Sequence, residues 1–408
     1  MSIFNSLGSN YDFKFVLKSL FANNNSSHYQ KLKEFLENKY EGKAILVYKG
    51  REALTLLLNV LNLPKESVVA INGFTCFAVY KAIETAGYEI ECLDLEKTNS
   101  DLNFTPYELE KKLKENKNIK AVVIQNTLGY PTDIEKILQI CKDKNIILIE
   151  DLAHCIGTKY LPANATHKAL QAGKNGKEAG TVGDFVTLSF SQDKVVDAVS
   201  GGALVIRNKK YNNLKIQQPA SPQGGFKNVN NYQQLKDHLY PLLTYKIRFL
   251  YDLRIGKLSH FILRKLNLLS KPMQGNLYEI YSLPNWYCGL VYSAFNVLQK
   301  DLNYRRKIAE IYKNNLDKKI LFDAITEKVS LSSNLRFPIF IENRKDLIRF
   351  LKRKKIYVSD IWYDSVSPDC PNAQMISHQI LNLPTHKNIS TKQAEFLSNQ
   401  INKWLKSQ

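Results

Sequence analysis

Short apolar runs alternate with helix-like stripes between residues 44 and 207, and this alternation restricts the fold more than any other feature of the sequence. The runs at 44–48, 68–71, 90–93, 121–125 and 145–149 are typical of buried strands. Residues 51–62, 77–86 and 134–144 instead repeat apolar side chains at the spacing of one helix face. Strands and helices that take turns in this way predict an α/β fold with a mainly parallel sheet covered on both faces.

The length of 408 residues allows two domains. We predict a helical N-terminal arm (1–40), a large domain (41–210), a connecting insertion (211–284) and a small α+β C-terminal domain (285–408). Within the insertion, residues 240–269 mix Leu, Ile, Phe and Tyr with Lys and Arg. Their simplest interpretation is extra helices that pack on the core, and the alternative is a contact with a membrane surface or a glycolipid.

The composition indicates a cytoplasmic protein. The alternative is a cytoplasmic protein that contacts the inner membrane face through residues 240–269. No apolar run reaches the length of a membrane span, and the N-terminus lacks a signal-peptide pattern. The six cysteines are scattered without a Cys-x-x-Cys pair, so we expect reduced thiols and no metal site. The net charge of +19 indicates either a solvated lysine-rich surface or attraction of anionic partners. No nucleic-acid-binding motif accompanies it, and we expect no nucleic acid partner.

A lysine and an aspartate follow two of the predicted strands. Lys194 lies in the loop after the strand at 185–190, and Asp151 follows the strand at 145–149. Since carboxyl ends of parallel strands meet at one sheet edge, both side chains are expected in one crevice. An enzyme that uses pyridoxal phosphate requires a lysine for the Schiff base and an acid for the pyridinium nitrogen. The alternatives are a solvated loop lysine and a helix-capping aspartate.

Three nearby residues fit the same chemistry less specifically. Gly50 lies between a strand and a helix start, where backbone N–H groups bind phosphate, although this signal alone favours a structural turn. Ser189 precedes Lys194 by five residues and is either a second phosphate ligand or an ordinary strand-end hydroxyl. His154 is either a core histidine or a neighbour of the cofactor ring or its 3′-oxygen.

With these residues in place, the chain resembles the DegT/DnrJ/EryC1/StrS family, the fold type I sugar aminotransferases that use pyridoxal phosphate. The resemblance extends from about residue 44 to the C-terminus and depends on the order and spacing of several motifs. These motifs are Gly50-Arg51-Glu52-Ala53-Leu54, Gly73-Phe74-Thr75-Cys76, Gly129-Tyr130-Pro131-Thr132-Asp133, Glu150-Asp151-Leu152-Ala153-His154-Cys155-Ile156-Gly157, Gly180-Thr181-Val182-Gly183-Asp184, Ser189-Phe190-Ser191-Gln192-Asp193-Lys194, Leu283-Pro284-Asn285-Trp286, Leu335-Arg336-Phe337-Pro338 and Leu383-Pro384-Thr385-His386.

The resemblance implies a role for each matching residue. It implies Lys194 as the Schiff-base lysine and Asp151 as the partner of the pyridinium nitrogen. The remaining cofactor contacts that it implies are backbone groups at Gly50, Arg51 and Glu52, the Ser189 hydroxyl, His154 beside the ring, and Phe74 rather than Phe77 stacked on the ring.

The family also implies a homodimer, because Asn285 matches an asparagine that reaches the phosphate from the neighbouring subunit.

The implied reaction transfers an amino group from an amino acid, expected to be glutamate, to a nucleotide-linked keto-sugar in surface polysaccharide or amino-sugar biosynthesis. A sugar dehydrase of the same family is the first alternative, and the retained Lys194 counts against it because those enzymes have histidine there. The second is a non-catalytic binding or regulatory protein. The stretches 161–179 and 240–269 are longer than the family pattern.

Overall fold

The computed structural model describes residues 2–96, 101–161, 176–214, 216, 226–271, 279–358 and 364–408. The strands in these ranges are β1 (Ile3–Phe4), β2 (Lys43–Val47), β3 (Val68–Asn72), β4 (Phe74–Thr75), β5 (Glu89–Leu93), β6 (Ile119–Ile124), β7 (Ile147–Asp151), β8 (Phe185–Ser189), β9 (Gly202–Ile206), β10 (Lys227–Asn228), β11 (Tyr281–Ser282), β12 (Arg336–Phe340), β13 (Ile356–Tyr357), β14 (Asp364–Ser365) and β15 (Ile380–Pro384).

Helices alternate with these strands along the chain. They are α1 (Phe13–Leu20), α2 (Ser27–Tyr40), α3 (Gly50–Leu61), α4 (Phe77–Thr85), α5 (Pro106–Glu115), α6 (Ile134–Lys144), α7 (Asn231–Phe249), α8 (Ile255–Lys265), α9 (Asn285–Phe295), α10 (Leu298–Asn315), α11 (Asp323–Lys328), α12 (Arg344–Arg353), α13 (Pro371–Gln379) and α14 (Thr391–Leu405).

Local signals set several helix bounds. Helix α5 begins after Thr105, whose side chain accepts a hydrogen bond from the Glu108 amide, and has proline at its first position. Helices α3 and α6 both end at an asparagine in the left-handed region, Asn62 with φ 44° and Asn145 with φ 53°. These bounds agree with the helices predicted from periodicity to within a few residues.

The central sheet has the strand order β10-β11-β2-β9-β8-β7-β6-β3-β5. Strands β5, β3, β6, β7 and β8 run parallel to one another, whereas β9 is antiparallel to both β8 and β2. Every residue of β3, β7, β8 and β9 is buried, as expected for strands covered on both faces. The predicted α/β fold with a mainly parallel sheet is confirmed.

The sheet register brings the chemistry-bearing strand ends together. Asp151 at the end of β7 pairs with Thr187 of β8, and Ser189 at the end of β8 pairs with Gly202 of β9. Since β7 and β8 are parallel, Asp151 and Ser189 lie at the same edge of the sheet. The chain leaves β8 at this edge and enters the loop that carries Lys194.

A smaller α+β unit follows, as predicted. Strand β12 pairs antiparallel with β15, and helices α10, α12 and α14 cover this pair. Its core contains Tyr312, Phe337, Leu383 and Trp404.

The boundaries predicted at residues 40 and 285 remain predictions, and the packing runs across both of them. Leu36 of α2 and Leu290 of α9 belong to one hydrophobic core together with the sheet. Helix α2 therefore packs as part of the large unit, and so does the first helix of the segment after 285.

The insertion forms helices α7 and α8. Tyr240 and Ile247 of α7 are buried against Tyr11 near the N-terminus, which matches the simpler of the two interpretations for this stretch. Among the helices of the described ranges, none combines the length and apolar character needed to cross a bilayer. The other longer stretch, 161–179, lies mostly outside the described residues.

Candidate active site

A cavity of about 260 Å³ opens at the carboxyl edge of β7 and β8. Its walls include five of the residues singled out from the sequence: Gly50, Arg51, Asp151, Ser189 and Lys194. Residues that are up to 144 positions apart in the chain therefore meet at one site, since 194 − 50 = 144.

Lys194 is half-buried on this wall, directly after Asp193, whose backbone has φ 64°. Its own amide donates to the carbonyl of Ser191 over 3.3 Å. Burial lowers the pKa of the Lys194 ammonium, and the nearby Cys76, Asp151 and Asp193 oppose that shift. A lysine with a lowered pKa supplies more of the neutral amine, which is the nucleophilic form.

Asp151 is held rigidly by three hydrogen bonds. Its carboxylate accepts from Gln125 Nε2 at 3.2 Å, from the Ala153 amide at 3.0 Å and from Thr187 Oγ1 at 3.4 Å. Burial raises the pKa of this carboxyl group, and the bond from Ala153 is the largest of the opposing contributions. Asp151 therefore both accepts a cap-like hydrogen bond from the Ala153 amide and lines the cavity, so its two interpretations from the sequence are compatible. A buried carboxylate at this point is stabilised by a cation in the cavity, such as a protonated ring nitrogen.

The turn at the start of α3 lies directly against the end of β8. A Cβ atom added at Gly50 would lie 2.6 Å from Ser189 Cβ and 3.1 Å from the Leu188 carbonyl oxygen, so this position requires glycine. Lys49 and Arg51 flank the turn, and Lys49 Nζ donates to Ser200 Oγ over 3.2 Å. The positive end of α3, two cationic side chains and the Ser189 hydroxyl make a cradle for a phosphate. With Lys194 and Asp151 across the cavity, these residues fit pyridoxal phosphate.

Glu52 contributes less to this cradle than the resemblance implies. Its amide already donates to the Lys49 carbonyl within the helix, and its side chain accepts from the Tyr281 amide over 3.1 Å. Burial raises the pKa of the Glu52 carboxyl group to about 7. The carboxyl group therefore joins α3 to β11, away from the cavity wall.

The aromatic residue expected over the cofactor ring lies elsewhere. Phe74 is completely buried in the core of the smaller unit, and Phe77 is 55% exposed and stacked on Tyr80. The side chain that lines the cavity here is Cys76, because β4 ends at Thr75 and the chain turns into α4 at this residue. The cavity wall therefore contains the Cys76 thiol, and neither Phe74 nor Phe77 is among the residues that line it.

His154 is fully buried just behind the site. The Leu128 amide donates to His154 Nδ1 over 3.4 Å, which places the imidazole proton on Nε2. Burial, followed by the charges of Lys194 and Arg336, lowers the pKa of His154 well below its ordinary value. His154 is therefore a neutral histidine close to Lys194, and it is not among the residues that line the cavity.

Asn285 lies outside the cavity of its own chain. It is the first residue of α9, and its Nδ2 donates to the Asn24 carbonyl over 3.4 Å. The role implied for it, a phosphate contact across a dimer, remains a prediction.

Gln125 is a site residue that the sequence interpretation missed. Thr75 Oγ1 donates to Gln125 Oε1 over 2.6 Å, which orients the amide nitrogen towards Asp151. Gln125 follows β6 directly, so the strand-end argument that identified Asp151 would also have identified it.

Comparison with known proteins agrees with the family resemblance found in the sequence. Residues 16–248 and 273–402 match the model of the DegT/DnrJ/EryC1/StrS aminotransferase family. The UDP-4-amino-4,6-dideoxy-N-acetyl-beta-L-altrosamine transaminase of Campylobacter jejuni (serotype O:23/36) is 24% identical over 375 residues, which cover 88% of this chain and 84% of that protein. The GDP-perosamine synthase of Escherichia coli O157:H7 is 28% identical over 194 residues, or 47% of this chain. The alignment spans only about half of that synthase, 48% of its length.

Solved structures share the fold at low sequence identity. Helicobacter pylori PseC, an aminotransferase involved in the biosynthesis of pseudoaminic acid, superposes with a TM-score of 0.70 at 16% identity, over 100% of both chains. The PMP form of Spr1654 from Streptococcus pneumoniae gives a TM-score of 0.68 at 15% identity, over 98% of both chains. These two similarities establish the fold.

Proposed function

Because the chain belongs to the DegT/DnrJ/EryC1/StrS aminotransferase family, we propose that it is an aminotransferase that uses pyridoxal phosphate. In this proposal the amino group moves from an amino acid, expected to be glutamate, to a nucleotide-linked keto-sugar for surface polysaccharide or amino-sugar biosynthesis. The observation that carries the proposal is the cavity in which Lys194 and Asp151 meet beside the Gly50 turn.

Pyridoxal phosphate, when bound, supplies an electron sink for the negative charge left on a carbon that loses a proton. Lys194 Nζ would hold the cofactor covalently, and as a free amine it would carry the proton removed from the donor carbon. Its lowered pKa favours both steps because the amine must be neutral to attack and to accept a proton. Asp151 would keep the proton on the ring nitrogen. The Gly50 turn and Ser189 would hold the phosphate and so fix the orientation of the ring.

The proposed sugar substrate has support from charge and from the relatives. A nucleotide diphosphate is anionic, and the net charge of +19 favours its approach. Two relatives carry names of nucleotide-sugar enzymes, a GDP-perosamine synthase and a UDP-sugar transaminase. We further propose a cytoplasmic homodimer, in which Asn285 contacts the phosphate bound by the other subunit. The retained Lys194 favours transamination over the dehydrase alternative.

Absorbance spectroscopy tests the proposal. Wild-type protein titrated with pyridoxal phosphate should develop the visible band of a lysine-bound cofactor, and glutamate should bleach it. Lys194→Ala should show no such band, whereas Lys392→Ala, on the exposed side of α14, should match the wild type.

Borohydride reduction and peptide mapping make the assignment specific to one lysine. Lys49 and Lys194 both line the cavity, so each is a candidate for covalent attachment. The reduced cofactor should be found on Lys194 and not on Lys49. Attachment at Lys49, or a wild-type protein without the visible band, would contradict the proposed catalytic role and favour the binding-protein alternative.

A further inference from the structure

Helix α8 presents an apolar surface to solvent. Ile255 is 55% exposed, Leu258 60%, Phe261 64% and Ile262 44%. At 3.6 residues per turn, these four side chains lie within an arc of about 120° around the helix. The preceding segment adds Phe249 and Leu253 at 73% and 67% exposure. We call these six residues the α8 face.

The α8 face belongs to a helix that is firmly packed on its other side. Gly256 is buried so tightly that an added Cβ would lie 2.2 Å from the Ile247 carbonyl oxygen. Leu263 packs against the core cluster that contains Tyr240 and Ile247. The helix is therefore held in place by one side while its apolar arc faces outward.

Basic side chains surround the α8 face. Arg254, Lys257, Arg264 and Lys265 are all exposed, and Lys257 and Arg264 flank one edge of the apolar arc. The segment 246–271 contains one acidic residue, Asp252, whose carboxylate lies 3.8 Å from Lys355 Nζ. An exposed apolar arc bordered by cations is the pattern of a helix that lies in a membrane interface.

The α8 face lies outside the residues that match the family model. The family model matches residues 16–248 and 273–402, and all six residues of the face lie between these two matches. The face also lies outside the walls of the candidate active site. Neither the family sequence match nor the proposed chemistry therefore accounts for this exposed apolar surface, and clustered exposure of this kind marks an interaction site.

We propose that the α8 face docks the protein on a membrane surface that carries anionic phospholipids. The apolar side chains enter the boundary between head groups and acyl chains, and the flanking bases contact lipid phosphates. Charge favours a membrane over an uncharged apolar partner, because the four exposed bases around the face complement an anionic head-group layer. The helix lies on the surface and does not cross the bilayer. This inference is independent of the proposed transamination.

Vesicle co-sedimentation of the full chain tests the docking. The wild type should sediment with vesicles of phosphatidylcholine and phosphatidylglycerol, and should sediment much less with phosphatidylcholine alone. The double variant Leu258→Asp/Phe261→Asp should lose this binding. Phe396→Asp is the control, because Phe396 is an exposed aromatic residue on α14, with 45% exposure, that lies outside the α8 face. All substituted positions are exposed, and thermal melts check that each variant is folded.

A second pair of variants tests the contribution of the basic side chains to vesicle binding. Arg264→Gln/Lys265→Gln should weaken binding to the anionic vesicles by roughly thirty-fold, since each base near such a surface contributes about a factor of five. Lys392→Gln/Lys403→Gln removes the same charge from exposed positions of α14 and should change binding little. In addition, brominated lipids should quench a Phe261→Trp variant beyond the quenching of the wild type.

Several outcomes would overturn the inference. Wild-type binding that is absent, or that is equal on neutral and anionic vesicles, contradicts an anionic membrane surface. Unchanged binding by Leu258→Asp/Phe261→Asp places any lipid contact elsewhere. If this variant instead lowers the mass of the protein in solution, the α8 face is a contact between two copies of the chain.

Discussion

Asn10 Nδ2 donates to the main-chain carbonyl oxygen of Lys194 over 3.2 Å, which joins the N-terminal segment to the loop of the proposed catalytic lysine. The same nitrogen lies 3.0 Å from Asp197 Oδ2, and Arg305 Nη2 donates to Asn10 Oδ1 over 3.2 Å. Asp197 in turn accepts from the Asp193 amide at 2.8 Å. Asn10 therefore has partners at both ends of its amide and holds the lysine loop from behind.

Asn10→Ala should weaken cofactor binding without unfolding the protein. The lost hydrogen bond to the Lys194 carbonyl is worth about 1 kcal/mol, and the affinity for pyridoxal phosphate should fall by roughly five-fold. Titration followed by the visible absorbance band measures the change. Asn388→Ala is the control, because Asn388 Nδ2 donates to the Ser9 carbonyl and supports the same segment without contacting Lys194. Equal losses in both variants would mean that Asn10 acts only on the packing of the segment.

Gly50→Ala should weaken cofactor binding by about ten-fold or more. The new methyl group would collide with Ser189 and the Leu188 carbonyl, and relieving an overpacked contact costs about 1 to 3 kcal/mol. The displaced turn would no longer match the phosphate. Gly87→Ala is the control: alanine would be strained at φ +82°, yet the added Cβ would meet nothing within 4 Å. It should lower the melting temperature and leave the affinity unchanged.

Pyridoxal phosphate should protect Cys76 from alkylation. Cys76 is half-buried and lines the cavity, so a bound cofactor should slow its reaction with N-ethylmaleimide by about five-fold or more. Cys92, which is also half-buried, is an internal reference. Mass spectrometry of the labelled peptides distinguishes the two thiols. Equal protection of both would indicate a general tightening of the protein rather than occupation of this cavity.

Glu52→Gln should change the pH dependence of stability of the cofactor-free protein. Burial raises the pKa of Glu52 to about 7 from 4.5, so the folded state binds this proton more tightly than the unfolded state. The resulting stabilisation is complete below about pH 4.5 and is lost as pH rises through 7. Between these limits the free energy of unfolding of the wild type should fall by about 3 kcal/mol relative to the variant.

Urea unfolding at pH 5 and pH 8 measures this difference. Glu395→Gln, at an exposed position of α14, controls for the removal of a carboxyl group. A difference between wild type and Glu52→Gln that is the same at both pH values would contradict a buried, protonated Glu52.

Much of the fold was predictable because its signals are local. The period of apolar residues identified α3, α4 and α6 and the buried strands β3, β6 and β7, since each pattern depends on a few neighbouring side chains. The same local reasoning placed Lys194 and Asp151 at strand ends. The same reasoning could have identified Gln125, since Gln125 directly follows the end of β6 and Asp151 lies at the end of the neighbouring strand β7.

The sequence by itself determined the α/β alternation, the mainly parallel sheet and the edge at which Lys194 and Asp151 meet, because the periodicity of each element follows from a short stretch of chain and the carboxyl ends of parallel strands meet at one edge. The tertiary structure alone decided that Cys76 rather than Phe74 faces the cavity, since one residue of turn before α4 selects the side chain that points inward. It also decided that Asn10 supports Lys194 across 184 positions of sequence. Contacts of that separation depend on how whole elements pack against one another, and no local pattern of side chains encodes them.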